Sequence, residues 1–280
     1  MAERNVYVAD DETQNILYHF GRHFVCLSCV IQPIGKHGYD TLRPSLRFIS
    51  GFVIQIRGSW WIATAGHCVE SLETNLSEKT IRVEQFRLFD HYGVGPDREH
   101  YLHFDYEDAR KLYEFDKIKG VDWGFIEITP PTVRLLKANN IVAVTRSEWS
   151  TQHKLEYDGY FILGIPEDSY NEGSRRTPTG FNLSAKPIPS AFYVERRPVF
   201  EILDRSAYRR FVGSMDNSEG TIVGMSGGPI FGLANNGEHR VVAIQSTWDS
   251  DSRTTFGFFV PTAAKLAERV LRSAMTAGGR

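Results

Sequence analysis

Gly224-Met225-Ser226-Gly227-Gly228-Pro229 sets a single hydroxyl among glycines that bend tightly and let a foreign backbone come close. An acyl-transfer nucleophile needs that setting. The substrate carbonyl must reach the oxygen while nearby backbone N–H groups face the negative charge that develops on it. The N–H groups of Gly224 and Ser226 are the candidates for such an oxyanion hole. A serine hydroxyl is a weak nucleophile at neutral pH, so the reading also demands a histidine to take its proton and a carboxylate to orient that histidine.

Both stand upstream. Ser59-Trp60-Trp61-Ile62-Ala63-Thr64-Ala65-Gly66-His67-Cys68 is an apolar, aromatic strand that ends in small residues and then a histidine. Val121-Asp122-Trp123-Gly124-Phe125-Ile126-Glu127-Ile128 begins a second apolar strand immediately after an aspartate. Thr-Ala-Gly-His-Cys, an aspartate leading an apolar strand, and Gly-x-Ser-Gly-Gly-Pro, in that order, resemble the trypsin-like (chymotrypsin-fold) serine peptidases, in the style of a bacterial, intracellular member. The resemblance covers about residues 24–275. It implies an all-β fold of two six-stranded antiparallel β-barrels with the site in the cleft between them. His67 and Asp122 then come from the first barrel, and Ser226 with the oxyanion hole from the second. Asp122 holds the imidazole in one tautomer, and His67 passes the proton between Ser226 and the leaving amine. Asp116 is the rival carboxylate; Gly124, Phe125 and Ile126 follow Asp122 as the family pattern requires.

Composition bounds the rest. The 280 residues are long enough for two packed units, and 41% apolar with 12% aromatic is ordinary for a globular chain, which excludes disordered and collagen-like readings. A net charge of −2, from 32 basic and 34 acidic residues, leaves no electrostatic footprint for nucleic acid. No run approaches a membrane span, and Met-Ala-Glu-Arg-Asn lacks the apolar core of a signal peptide, so the expectation is a soluble, cytoplasmic protein without a membrane partner. Three cysteines make no disulfide framework. Extracellular members of the resembled family pair the cysteine after the histidine with one on the preceding strand; here Ser50 holds that position, so Cys68 is read as a buried free thiol. Cys26 and Cys29 form a lone Cys-x-x-Cys in an apolar run, and zinc would need two more ligands, so they are read as core residues.

Along the chain, residues 1–23 form an extension, with Ile16, Leu17 and Phe20 at helical spacing. Strands are expected at 25–32, 46–56, 60–64, 81–89 and 123–128, in a first barrel over 24–132. A polar insertion at about 90–120 interrupts it; its His100-x-x-His103-x-Asp105 is read as solvated loop rather than as metal ligands. Pro130-Pro131 marks a boundary, and 135–145 the crossover. The second barrel, 133–261, is expected to use strands at 160–164, 192–200, 221–223, 229–232, 240–247 and 255–261, with 168–190 a mobile loop. Residues 262–280 carry a C-terminal helix whose face is formed by Leu266, Val270 and Leu271.

Departures from the family pattern matter. Met225 stands where zymogen-activated members have the aspartate that pairs with a newly cut N-terminus, so clipping is not the switch; an activating protein partner is the open alternative. Family register puts the floor of the primary pocket near Gly220 and its wall at Ser246, Thr247 and Trp248, with no aspartate to favour Lys or Arg. Gly-x-Ser-x-Gly also marks the nucleophile elbow of α/β-hydrolases, but that fold needs a helix after the serine and the acid and histidine downstream; here Pro229 and a β-like run follow. The reading is a serine endopeptidase acting on a protein or peptide, without cofactor or metal. Its alternative is a latent module of the same fold that binds extended segments.

Overall fold

The computed structural model describes residues 20–34, 44–78, 81–90, 101–149, 157–167, 169, 173–177, 180–184, 187–196, 208–215, 222–234 and 239–277. The helix expected before Phe20, His100 and Gly220 lie outside them. The chain is mostly β-strand, as expected. A short 3-10 turn, η1 (Gly21–His23), leads into β1 (Phe24–Pro33), β2 (Ser45–Ile56) and β3 (Ser59–Thr64), then helix α1 (Gly66–Glu78), β4 (Ile81–Phe89), β5 (Tyr101–His103), β6 (Lys111–Asp116) and β7 (Val121–Glu127). These strands form one seven-stranded antiparallel sheet in the order β5-β4-β1-β2-β3-β7-β6, one strand more than the barrel the sequence suggested. The insertion at 90–120 is therefore not wholly loop. Within it, β6 pairs along β7 from Lys111↔Ile126 to Asp116↔Val121 as a half-buried edge strand, with Leu112 on one face and Phe115 on the other.

The crossover runs through α2 (Pro130–Ala138), opened by Pro130 where a missing N–H costs nothing, and the single turn α3 (Arg146–Trp149). Beyond it, β8 (Gly159–Gly164), β11 (Ser190–Arg196), β12 (Arg210–Ser214), β13 (Pro229–Leu233), β14 (His239–Asp249) and β15 (Thr254–Phe259) close a six-stranded antiparallel barrel in the order β11-β12-β15-β14-β13-β8. β9 (Gly173–Thr177) and β10 (Gly180–Ser184) pair as a separate hairpin inside the stretch expected to be a loop. The expected strand at 221–223 is instead, over its described residues, part of a turn closed by Met225 N–H to the Ile222 carbonyl at 3.1 Å. Helix α4 (Val260–Ala277) packs on β14 and β15. Its buried face is Val260, Ala263, Ala264, Ala267 and Leu271, with Leu266 half-buried against the same core and Val270 exposed, so of the expected face Val270 alone turns away and alanines make most of the contact. Small side chains let the helix come close to the sheet. Among the described residues no helix is long and apolar enough to cross a membrane.

Three buried clusters result. One lies inside the first sheet under α1, with Val25, Leu27, Val53, Val69 and Leu72, and one inside the second barrel, with Ile162, Phe211, Met225 and Ile230. The third joins the two units: Phe20, Phe24, Phe52 and Trp61 from the first meet Phe161, Phe231, Phe258 and Val260 from the second. Cys26 belongs to this shared cluster and Cys29 to the first unit's own, so the two thiols lie on opposite sides of β1. All three cysteines are buried and none is in a disulfide. Ser50, where the family's second cysteine would stand, accepts the Ile165 N–H on its hydroxyl at 2.9 Å and the Thr64 hydroxyl on its carbonyl at 2.9 Å, tying β2 to the end of β8.

Candidate active site

His67 is the second residue of α1, where backbone N–H groups have no partner within the helix. Asp122, second in β7, supplies one. Its Oδ1 accepts the His67 backbone N–H at 2.9 Å, and its Oδ2 lies 2.8 Å from His67 Nδ1. The strand thus sets a carboxylate at a helix N-terminus, where the helix dipole favours negative charge, and uses both oxygens to fix one histidine. The Ser246 hydroxyl, from β14 in the other unit, donates to the same Oδ2. These three donors offset the desolvation of a carboxylate whose side chain is only 4% exposed. The His67 side chain keeps 29% of its surface open, and Phe115 packs against its ring at 5.6 Å.

Burial alone would lower the His67 pKa, but the hydrogen bond and charge of Asp122, with the neighbouring Cys68 thiol, raise it to about 10. Asp116 does not compete for the ring. Its carboxylate accepts the N–H groups of Ile118 and Lys119 and pairs with the Lys119 ammonium at 2.9 Å, closing the turn after β6.

Ser226 lies on the turn that enters β13. Its carbonyl is 4.0 Å from the Cys68 thiol, and its hydroxyl donates to the Ser246 carbonyl at 3.1 Å, with no bond to His67. The turn is pinned on both sides: Gly227 N–H bonds the Gln245 carbonyl at 2.8 Å, and Gly228 N–H the Met225 carbonyl at 2.9 Å. Among the described residues, neither Gly224 N–H nor Ser226 N–H has a backbone acceptor. Gly224 sits at φ +91, and a Cβ there would come within 2.8 Å of Glu167 N, so neither the backbone angle nor the space admits a side chain.

Ser246, Thr247 and Trp248 line a cleft of about 410 Å³ together with Asp122, Phe115, Arg210 and Phe256. Trp248 is half-buried against the second barrel's core, so it is a wall of that cleft as well as packing. A larger cleft of about 620 Å³, between the β2–β3 turn and α2, holds none of the sequence-nominated residues. The structure thus links His67, Asp122, Ser226 and Ser246 from four segments: His67 and Ser246 both bond Asp122, and Ser226 bonds the Ser246 carbonyl beside the cleft that Asp122 and Ser246 line. Two features escaped sequence reading. One is the Ser246 hydroxyl on Asp122, since the sequence points to Ser246 only as a wall of the primary pocket. The other is α1, whose Val69 and Leu72 follow Ala65 at helical spacing and are the signal that was available.

No protein-family model matches the chain, and no curated protein does. In structure, the chain is similar to a thermostable serine protease, AL20, from an extremophilic microorganism, at 14% identity and a TM-score of 0.47, over 88% of this chain and 95% of that one. It is also similar to the inactive form of a mutant of Rv3671c from M. tuberculosis, at 13% identity and a TM-score of 0.44, over 96% and 95% of the two chains. The protease Anisep from Arthrobacter nicotinovorans is similar at 15% identity and a TM-score of 0.43, over 85% and 90%.

Proposed function

We propose that this chain is a serine endopeptidase that cleaves peptide bonds through an acyl-enzyme on Ser226, with His67 as base and acid and Asp122 as its orienting carboxylate. The observation that carries the reading is the Asp122 carboxylate, held by Ser246 and engaging both the ring and the backbone nitrogen of His67, with a glycine-flanked serine bonded to the carbonyl of that same Ser246. With Nδ1 committed to Asp122, Nε2 is the nitrogen left to exchange a proton with the nucleophile. The N–H groups of Gly224 and Ser226 then receive the oxyanion. An extended substrate pairing with the edge of β14 takes the Ser246 carbonyl as its acceptor, in the manner of an added strand. That exchange frees the Ser226 hydroxyl to turn to His67, so substrate completes the triad.

One observation favours a second reading, a latent module of the same fold. The Ser226 hydroxyl is bonded to the Ser246 carbonyl rather than to His67. A serine-directed fluorophosphonate separates the two. Under the first reading Ser226 is labelled in the purified protein, with no adduct in Ser226→Ala. A folded wild-type protein that stays unlabelled supports latency and a need for an activating partner.

A further inference from the structure

His23 ends η1, Glu148 lies in α3, and His239 opens β14, yet their ligand atoms lie within 4.8 Å of one another. We propose that these three side chains bind one divalent transition-metal ion, zinc foremost, which clasps the N-terminal segment, the crossover and the second barrel together.

Two imidazoles and a carboxylate are a donor set that suits zinc, with a fourth position for water. His23 is prepared for the role. Its Nδ1 lies 2.7 Å from the Val142 carbonyl, so a neutral ring donates there and turns the lone pair of Nε2 outward, the support a ligating histidine ordinarily has. The Glu148 carboxylate is held in place by bonds from Thr145. Those bonds, from the Thr145 N–H and hydroxyl at 2.7 Å each, engage Oε2 and leave Oε1 for an ion.

Arg22 shows that the place suits a cation: its Nε donates to His23 Nε2 at 3.2 Å, on the lone pair an ion would use. Arg22 is half-buried, so its guanidinium is partly open to solvent. Tetrahedral zinc needs its ligand atoms about 3.3 Å apart. His23 is 1% exposed and fixed, so the contraction falls to the half-buried Glu148 and His239. Phe20, edge-on to the His239 ring at 4.8 Å, walls the apolar side. His239 and Ser246 are seven residues apart on β14, roughly 23 Å of extended strand, so the ion touches no reacting atom. No sequence motif announces the site, because its ligands are spread over positions 23 to 239.

The test uses the full chain carrying Ser226→Ala, stripped with a chelator and titrated with Co²⁺ by absorbance and with Zn²⁺ by competition and thermal unfolding. One ion per chain is expected, with the intense visible bands of low-coordinate Co²⁺ and a chelator-reversible rise in Tm. His239→Asn and Glu148→Gln should each weaken binding by more than the roughly 10–100-fold that loss of an outer-shell partner costs. Arg22→Gln should tighten it by removing the competing guanidinium. Should Glu148→Gln not fold, because Thr145 loses part of its cap, the other two variants carry the test. Absence of binding in both wild type and Arg22→Gln overturns the site. So does one-ion binding that survives His239→Asn, or that is lost on His67→Ala instead.

Discussion

At the residue scale, the carboxylate on His67 separates function from fold. Asp122→Asn keeps the shape but offers an amide where an acceptor is needed, and turnover should fall by about four orders of magnitude on triad precedent. Asp116→Asn should leave turnover near wild type, because Asp116 serves its own turn; steady-state kinetics on an unstructured protein substrate compares them, and the reverse ranking would sink the assignment. Ser246→Ala removes a donor to a charged acceptor, about 1.5–3 kcal/mol, or roughly 10- to 100-fold in turnover. The raised His67 pKa sets a pH sign. General-base chemistry needs the neutral ring, so kcat/KM should rise with pH along a limb lying above the ordinary imidazole value of 6.5 and extending toward about 10. Asp122→Asn should bring the limb down. In stability the sign is opposite: the imidazolium–carboxylate pair contributes fully below about 6.5 and fades as pH climbs through the folded pKa. A limb at or below 6.5 in wild type would mean that Asp122 does not hold the proton on the ring.

At the scale of elements, strands were legible and their exceptions are instructive. Apolar runs bounded by turn residues located β1, β2, β3, β4 and β8 within a residue or two, because period-two burial leaves a direct mark on sequence. Asp122 was read as standing just before a strand and lies inside β7, since a polar residue with three donors is as well accommodated there as an apolar one. β12 went unread: Arg210-Phe211-Val212-Gly213-Ser214 is short and begins with a charge, and pairing with β15 supplies what local preference does not. The site triplet was legible because glycine and serine, histidine and aspartate stand at fixed places in three motifs; the partner hydroxyl of Ser246 was not, because only tertiary folding aims it. The turn carrying Ser226 rests on Gly227, at φ +94, where a Cβ would lie 2.1 Å from Thr64 Oγ1 and 2.3 Å from the Ser50 carbonyl. Gly227→Ala therefore adds a clash between units to backbone strain, and should cost about 2–5 kcal/mol. Gly58→Ala, at φ +86 with nothing within 4 Å, has the strain alone and should cost about 1–2 kcal/mol. Urea denaturation of both compares them, and equal losses would show that the Gly227 turn has room to shift.

At the scale of the molecule, the question is whether the two units behave as one. The cleft exists only while β14 of one unit faces β6 and β7 of the other, so the proposed chemistry depends on their joint. That joint is apolar: Phe20 lies 4.8 Å from both Phe161 and Phe231 by ring centroid, is 6% exposed, and belongs to a cluster built from both units. Truncating a buried phenylalanine costs about 3–5 kcal/mol, and a shared core should spread that loss over the whole chain. Phe20→Ala, studied with chelator present so that no ion bound at His239 contributes, should lower the urea midpoint equally by circular dichroism and by tryptophan fluorescence. The fluorescence becomes specific when Trp248→Phe is added, because Trp60, Trp61, Trp123 and Trp149 all precede the second barrel. Coincident curves mean that the halves unfold together, and that a substitution remote from the cleft disturbs catalysis only through the fraction folded. Curves that separate, with the tryptophans near the first sheet holding their wild-type midpoint, would show two independent units, and the cleft would then be able to open without unfolding.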